Sequence, residues 1–173
     1  MLAVHDVGFV NYLRNVCQHL PVDTLVYPYV FPIRRTDRPP RDLNMRAGYY
    51  CIDTFTPLSR NAYKASRAAV NVALSGAEAL IAGNPLVYSL CRPPGHHAIR
   101  DASMGFCIFG HVALAAVYAR RMHAAERVLI VDWDVHHGNG TQALVEHDPG
   151  IHFVSMHQWP WYPGTGAASE RGI

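Results

Sequence analysis

Between Asp6 and Leu20, the residues Phe9, Leu13, Val16 and Leu20 recur at spacings of four, three and four, with Tyr12 and Cys17 alongside. That is the stripe by which an amphipathic helix packs on a core. From Leu25 to Arg46 no period is kept, and the run carries Pro28, Pro32, Pro39, Pro40 and five arginines, which predicts a long surface loop. Asn61 to Ala82 is rich in Ala, Val and Leu without a proline, and Gly83 follows as a stop, predicting a second helix whose small residues suit close packing. Apolar runs and helical stretches then alternate. A strand is expected at Pro85–Cys91, a helix from about Gly110 to His123, a strand at Arg127–Asp132, a short helix near Thr141–Glu146 and a strand at Ile151–Met156.

Val128 to Val131 is continuously apolar, the pattern of a strand covered on both faces. Strands alternating with helices imply right-handed crossovers in a mainly parallel sheet, so the fold class is α/β. In open sheets of that kind chemistry gathers beyond the carboxyl ends of the strands. The sequence turns polar at those places: RPPGHH follows Cys91, DWDVHHGNG begins at Asp132, and HQWPWYPGTG follows Met156. Repeats, low-complexity stretches and a domain boundary are not seen.

Composition narrows the class. The chain has 173 residues, half of them hydrophobic, and a formal charge of +2, with Lys64 the single lysine among 15 basic residues. It is too apolar for a disordered chain, and no run approaches the roughly 20 apolar residues of a membrane span. The small charge calls for neither a nucleic-acid groove nor an anionic membrane patch. Cys17, Cys51, Cys91 and Cys107 are scattered and no signal peptide is visible, so the expected compartment is a reducing cytoplasm. Against this background seven of the 11 histidines fall between positions 96 and 147.

Asp132, Asp134 and His136 are spaced by two, so an extended chain would point all three to one side. Two carboxylates and an imidazole suit a borderline divalent ion such as zinc or ferrous iron. Alternatively the two aspartates cap the next helix and His136 is solvated. His96 and His97 follow a rigid Pro-Pro and a glycine. A neutral imidazole can take a proton from water and return it to a leaving amine, although a His-His pair on a loop can equally be an exposed one.

These two motifs, with G-F-C at 105–107 and Y-P-G-T-G at 162–166, resemble the histone deacetylase superfamily, which includes the bacterial acetylpolyamine amidohydrolases. The stretch 46–63 also looks like the bacterial, class-II-like branch. The resemblance implies a three-layer α/β sandwich around a mainly parallel sheet, of arginase/deacetylase type, and a zinc-dependent hydrolase site, with Fe2+ possible in place of Zn2+. Asp134 and His136 match two of three metal ligands. His97 would be the main general acid/base, with His96 an electrostatic partner oriented by Asp132, and Asn139 the partner of His97 where class I relatives carry an aspartate. Phe106 and Tyr162 match the aromatics walling a narrow substrate channel, core packing being the alternative. Asp53 aligns loosely with a rim aspartate, a turn or helix-capping role being the alternative. A structural K+ would be held by Asp132, Asp134, His136, Ser155 and Met156. His137 would point away from the metal, and the other histidines are assigned to surface or packing roles.

The chain departs from the family in two respects. Gly110 and His111 stand where a pair of asparagines is usual, which would loosen the start of the next helix. The chain also reads as an internal portion, the N-terminal half to two-thirds, of one catalytic domain covering 1–173, so the third metal ligand and a carbonyl-polarising tyrosine are expected to lie outside it. A sheet cut partway would expose an apolar edge and invite aggregation, a homo-oligomer or another partner. The expected substrate is an acetylated lysine peptide or an acetylpolyamine. The rival reading is an inactive fragment or a module that binds acetylated amines or protein. A two-metal ureohydrolase would need Asp and His ligands at positions this sequence does not fill.

Overall fold

The computed structural model describes residues 1–31, 37–43 and 45–171. Asp6 opens helix α1 (Val7–His19) by accepting hydrogen bonds from the Gly8 and Phe9 amides at 2.7 and 3.1 Å. The stripe read from the sequence is the buried face: Phe9, Leu13 and Val16 lie in the core with Tyr12 and Cys17. Most of the long loop has no regular structure, and its residues 32–36 and 44 lie outside the described residues. It does contribute a two-residue strand β1 (Leu25–Val26) and a 3-10 turn (Met45–Gly48). β1 pairs antiparallel with β2 (Leu58–Ser59), a contact without any local periodicity to announce it.

Helix α2 (Ala62–Ile81) buries the small residues Ser66, Ala69, Ala73 and Gly76, and Gly83 follows its end with a φ of +100°. Helix α3 (His111–His123) packs against it. Strand β3 (Val128–Asp132), helix α4 (Asn139–Val145) and strand β4 (Ile151–Ser155) complete the order. β3 and β4 pair in parallel, Val128 with Ile151 through Asp132 with Ser155, with α4 as the crossover. Ile130, Val145, Ile151, Phe109, Leu114 and Val117 join the α1 stripe in one core.

Two expectations are corrected. Pro85–Cys91 is not a strand: it runs beside α2, where the Ser89 hydroxyl and the Cys91 thiol donate to the Val72 and Ala69 carbonyls, but no ladder forms on it. Leu86, Tyr88 and Leu90 alternate outward and are at least 78% exposed. Nor is β3 covered on both faces, because Leu129 and Val131 are exposed while Ile130 is buried. Among the described residues the parallel sheet therefore has two strands and one bare apolar face, the incomplete form of the expected architecture.

Candidate active site

The polar site is built where β3 ends. Asp132 closes the strand, and Asp134 and His136 follow in the loop before α4. Asp134 Oδ1 accepts from the His136 backbone amide at 2.8 Å and lies 3.0 Å from His136 Nδ1, both side chains being about half exposed. Burial opposes ionisation of Asp134, but the His136 hydrogen bonds and the neighbouring imidazoles outweigh it and hold the carboxyl below its ordinary range.

The tandem histidines reach this point from the loop after Cys91. His96 Nδ1 donates to Asp132 Oδ2 at 2.9 Å, and His97 Nδ1 donates to Asn139 Oδ1 at 2.8 Å. The rings are 3.9 Å apart, and the His97 ring is 6.0 Å from that of His136. His97 is buried, and burial first, then the adjacent His96, push its pKa down to about 4. It is therefore neutral at pH 7. With Nδ1–H committed to the Asn139 amide oxygen, the lone pair is on Nε2.

The G-N-G run explains how the two loops meet. A Cβ at Gly138 would lie 2.2 Å from the Asp132 carboxylate, and one at Gly140 would lie 2.4 Å from the His97–Ala98 backbone. Those glycines let the start of α4 seat against the His loop, where the Thr141 amide donates to the His96 carbonyl at 3.0 Å. The Gly110 departure does not loosen α3. The Gly110 amide donates to His5 Nε2 at 3.0 Å, while His5 Nδ1 donates to the Ile99 carbonyl at 3.0 Å, so one buried imidazole ties α3 to the His loop. His5 is thus more than the surface or packing residue that the sequence predicts, and nothing local to it announces this bridge.

Of the two matched channel aromatics, Phe106 and Tyr162, it is Tyr162 that stands beside the histidines, its ring 5.0 Å from His97 and at right angles to it. Phe55 joins them edge-to-face, 5.5 Å from Phe106 and 5.6 Å from Tyr162, a third aromatic that the motifs did not flag. Trp161 stacks on His136 at 5.9 Å. Phe106 is 60% exposed, so it is not a core residue. Asp53 takes the turn role that stood against its loose match to a rim aspartate: its carboxylate accepts from the Phe55 amide two residues on, and also from the Gly105 amide. His137 does point away: its ring nitrogens bond Thr165 and Gln142, both at 2.8 Å. Ser155 is in register with Asp132, the Met156 amide donates to the Asp132 carbonyl, and the Ser155 hydroxyl faces His157.

A carboxylate and an imidazole side by side are the oxygen and nitrogen donor types that a divalent ion such as zinc would take. Asp134 and His136 thus fit as part of a metal site. Among the described residues no group of three or more His, Cys, Asp or Glu side chains is arranged to hold an ion.

The model of the histone deacetylase domain matches residues 1–173. The chain belongs to the histone deacetylase family. Acetylpolyamine amidohydrolase 2 of Pseudomonas aeruginosa is 38% identical over 98% of this chain, which covers 51% of that relative. The acetylpolyamine amidohydrolase of Mycoplana ramosa is 36% identical over 92% of the chain and 48% of its own length. The crystal structure of an acetylpolyamine aminohydrolase from Burkholderia pseudomallei superposes with a TM-score of 0.85 at 31% identity, over 95% of this chain and 49% of the other. The chain therefore spans about half the length of these relatives, and its architecture is that of the arginase-like deacetylase fold with a partial sheet.

Proposed function

We propose that the chain carries the acid/base side of an N-acetyl amidohydrolase centre, acting on acetyl groups carried by a lysine side chain or a polyamine. The observation that carries this reading is the pair of imidazoles with unlike partners, carboxylate for His96 and amide for His97, set beside Asp134 and His136. Asp134 and His136 would hold zinc or ferrous iron, which when bound supplies Lewis-acid polarisation of the acetyl carbonyl. His97 Nε2 takes the proton of the attacking water as the C–O bond forms. As the C–N bond breaks it hands that proton to the amine nitrogen, and acetate is released. Asn139 keeps the His97 ring in the tautomer that leaves Nε2 free, and Asp132 fixes His96.

Phe106, Tyr162 and Phe55 form an apolar slot suited to a slender methylene tether. A potassium ion at the β3–β4 end, among Asp132, Asp134, His136, Ser155 and Met156, belongs to the same proposal, as does a cytoplasmic setting, with which the four free cysteines agree. The names of the amidohydrolase relatives support small acetylated amines as substrates. A second reading, a module that binds acetylated amines without turnover, is favoured by the two rather than three metal donors that converge among the described residues.

The test is metal content after dialysis together with hydrolysis of a fluorogenic acetyl-lysine peptide and of acetylputrescine by the 173-residue chain. Bound metal with turnover of either substrate supports the amidohydrolase. Saturable binding of the acetylated amine without acetate release supports the binding module instead.

A further inference from the structure

Phe106 presents its ring to the slot from an unusual backbone. Gly105 and Phe106 are consecutive left-handed residues, with φ of +58° and +65°. Glycine adopts that region freely, but an aromatic residue does so only when its surroundings force it. The force is visible in two side chains 50 residues away in sequence. The Gly105 amide donates to Asp53 Oδ2 at 2.7 Å, and the Phe106 amide donates to Thr56 Oγ1 at 3.0 Å. The Thr56 hydroxyl in turn donates to Asp53 Oδ2 at 3.1 Å, and the Phe55 amide donates to Asp53 Oδ1 at 3.0 Å. Tyr162 reaches the same carboxylate with its hydroxyl at 3.4 Å.

Thr56 is 2% exposed, so its hydroxyl works away from solvent. A Cβ at Gly105 would lie 2.3 Å from His97 Cδ2 and 3.1 Å from Tyr162 Cε1, so the clamped turn is packed directly on the His97 ring. The Phe55 ring meets both Phe106 and Tyr162 edge-on, and the Phe55 amide, the Phe106 turn and the Tyr162 hydroxyl are all referred to one carboxylate, directly or through Thr56.

We propose that Asp53 and Thr56 are positioning residues: together they clamp Gly105 and Phe106 in the left-handed turn and set the spacing of the Phe55, Phe106 and Tyr162 rings beside His97. The Asp53 carboxylate then organises the channel from behind and does not reach out to the substrate backbone. The clamp stands on the geometry alone. Its effect on catalysis rests on the amidohydrolase reading, so the experiment has one arm for each.

The first arm is amide hydrogen exchange of the 173-residue chain. Thr56→Val keeps the branched shape and removes the acceptor, and Thr56→Ser keeps the hydroxyl. Thr56→Val and Asp53→Asn are expected to speed exchange at Gly105 and Phe106 about tenfold or more relative to α1 amides, with near wild-type protection in Thr56→Ser. Unchanged protection at Gly105 and Phe106 in Thr56→Val and Asp53→Asn, or acceleration no greater than that of α1, overturns the clamp. The second arm is deacetylation kinetics: Thr56→Val is expected to raise KM several-fold with kcat little changed, and Thr56→Ser to restore KM. A fall in kcat at constant KM overturns the positioning role. With a wild-type chain inactive on both substrates, the exchange arm alone decides the clamp.

Discussion

His5 offers a sharp test of how the active-site loop is held. It is 2% exposed, lies between the Phe9 and Phe109 rings, and has both nitrogens engaged by backbone, Nδ1 donating to the Ile99 carbonyl and Nε2 accepting from the Gly110 amide. A proton on Nε2 would turn that acceptor into a donor facing an N–H. Burial is the main cause that pushes its pKa down to about 4 from an ordinary 6.5. The sign follows from where the proton binds. Above pH 6.5 neither state is protonated and the shift contributes nothing. As pH falls below 6.5 the unfolded chain takes up the proton first, so stability is lost until the folded His5 also titrates near pH 4. The shift corresponds to a loss of about 2 kcal/mol by pH 5 and about 3 kcal/mol below pH 4.

Because burial also lowers the pKa of His97, His111 and His137, the contribution of His5 is isolated by comparing the wild type with His5→Asn, which cannot titrate. At pH 7.5 the variant should be less stable by about 1–3 kcal/mol, having left the Gly110 amide without its acceptor. That gap should narrow by about 2 kcal/mol between pH 7.5 and pH 5 in urea titrations followed by far-UV circular dichroism. A gap independent of pH across this range, or a His5 ring proton titrating between pH 6 and 7 by NMR, would refute the reasoning.

The remaining predictions address the centre and the bare face. His97→Ala should lower turnover by about 10²–10⁴ while leaving metal content near that of the wild type, whereas Asp134→Asn should lose both; equal metal loss in the two would contradict the assigned roles. Gly140→Ala places a Cβ 2.4 Å from the His97–Ala98 backbone and should cost about 1–3 kcal/mol of stability together with most of the activity, read by thermal melting and the peptide assay. Replacing Leu129 and Val131 by threonine, at exposed positions on the open face of β3, should shift sedimentation profiles towards monomer without altering helical content. An unchanged profile would show that this face does not drive association.

What could be read from the sequence, and what could not, divides by the range of the interactions. The α1 stripe of Phe9, Leu13 and Val16 is a property of one segment, and it appears in the fold where the spacing places it, with Asp6 added as the cap. The parallel β3–β4 pair with α4 between them was legible from the alternation of apolar runs and helical stretches. In the site, Asp132, Asp134 and His136 do meet at one strand end, but through bends at 134–136 in which each aspartate accepts from the amide two residues on, not through the extended chain that the spacing predicts; the tandem histidines take Asp132 and Asn139 as partners. Pro85–Cys91 has the composition of a strand, but a strand is a property of a pair, and among the described residues that segment meets α2 on one side with no ladder on the other. The continuous apolar run of β3 misled in the same way, since composition reports what a face could bury and not what covers it.

The bridges that hold the centre were the least legible, and for a physical reason. His5 acts across 94 residues to Ile99 and 105 to Gly110, and Asp53 acts across 52 to Gly105. In each case a side chain satisfies backbone groups where the chain has left regular structure, so neither periodicity nor residue spacing records it. Such amides must find partners when buried, and in loops only a side chain arriving from elsewhere can supply them. No local signal points to the Asp53 clamp: the acceptor for the Phe106 amide is Thr56, which is distant in sequence. The reactive groups here are thus written in short motifs, whereas the precision with which His97 faces the slot is written in the pairing of distant polar residues.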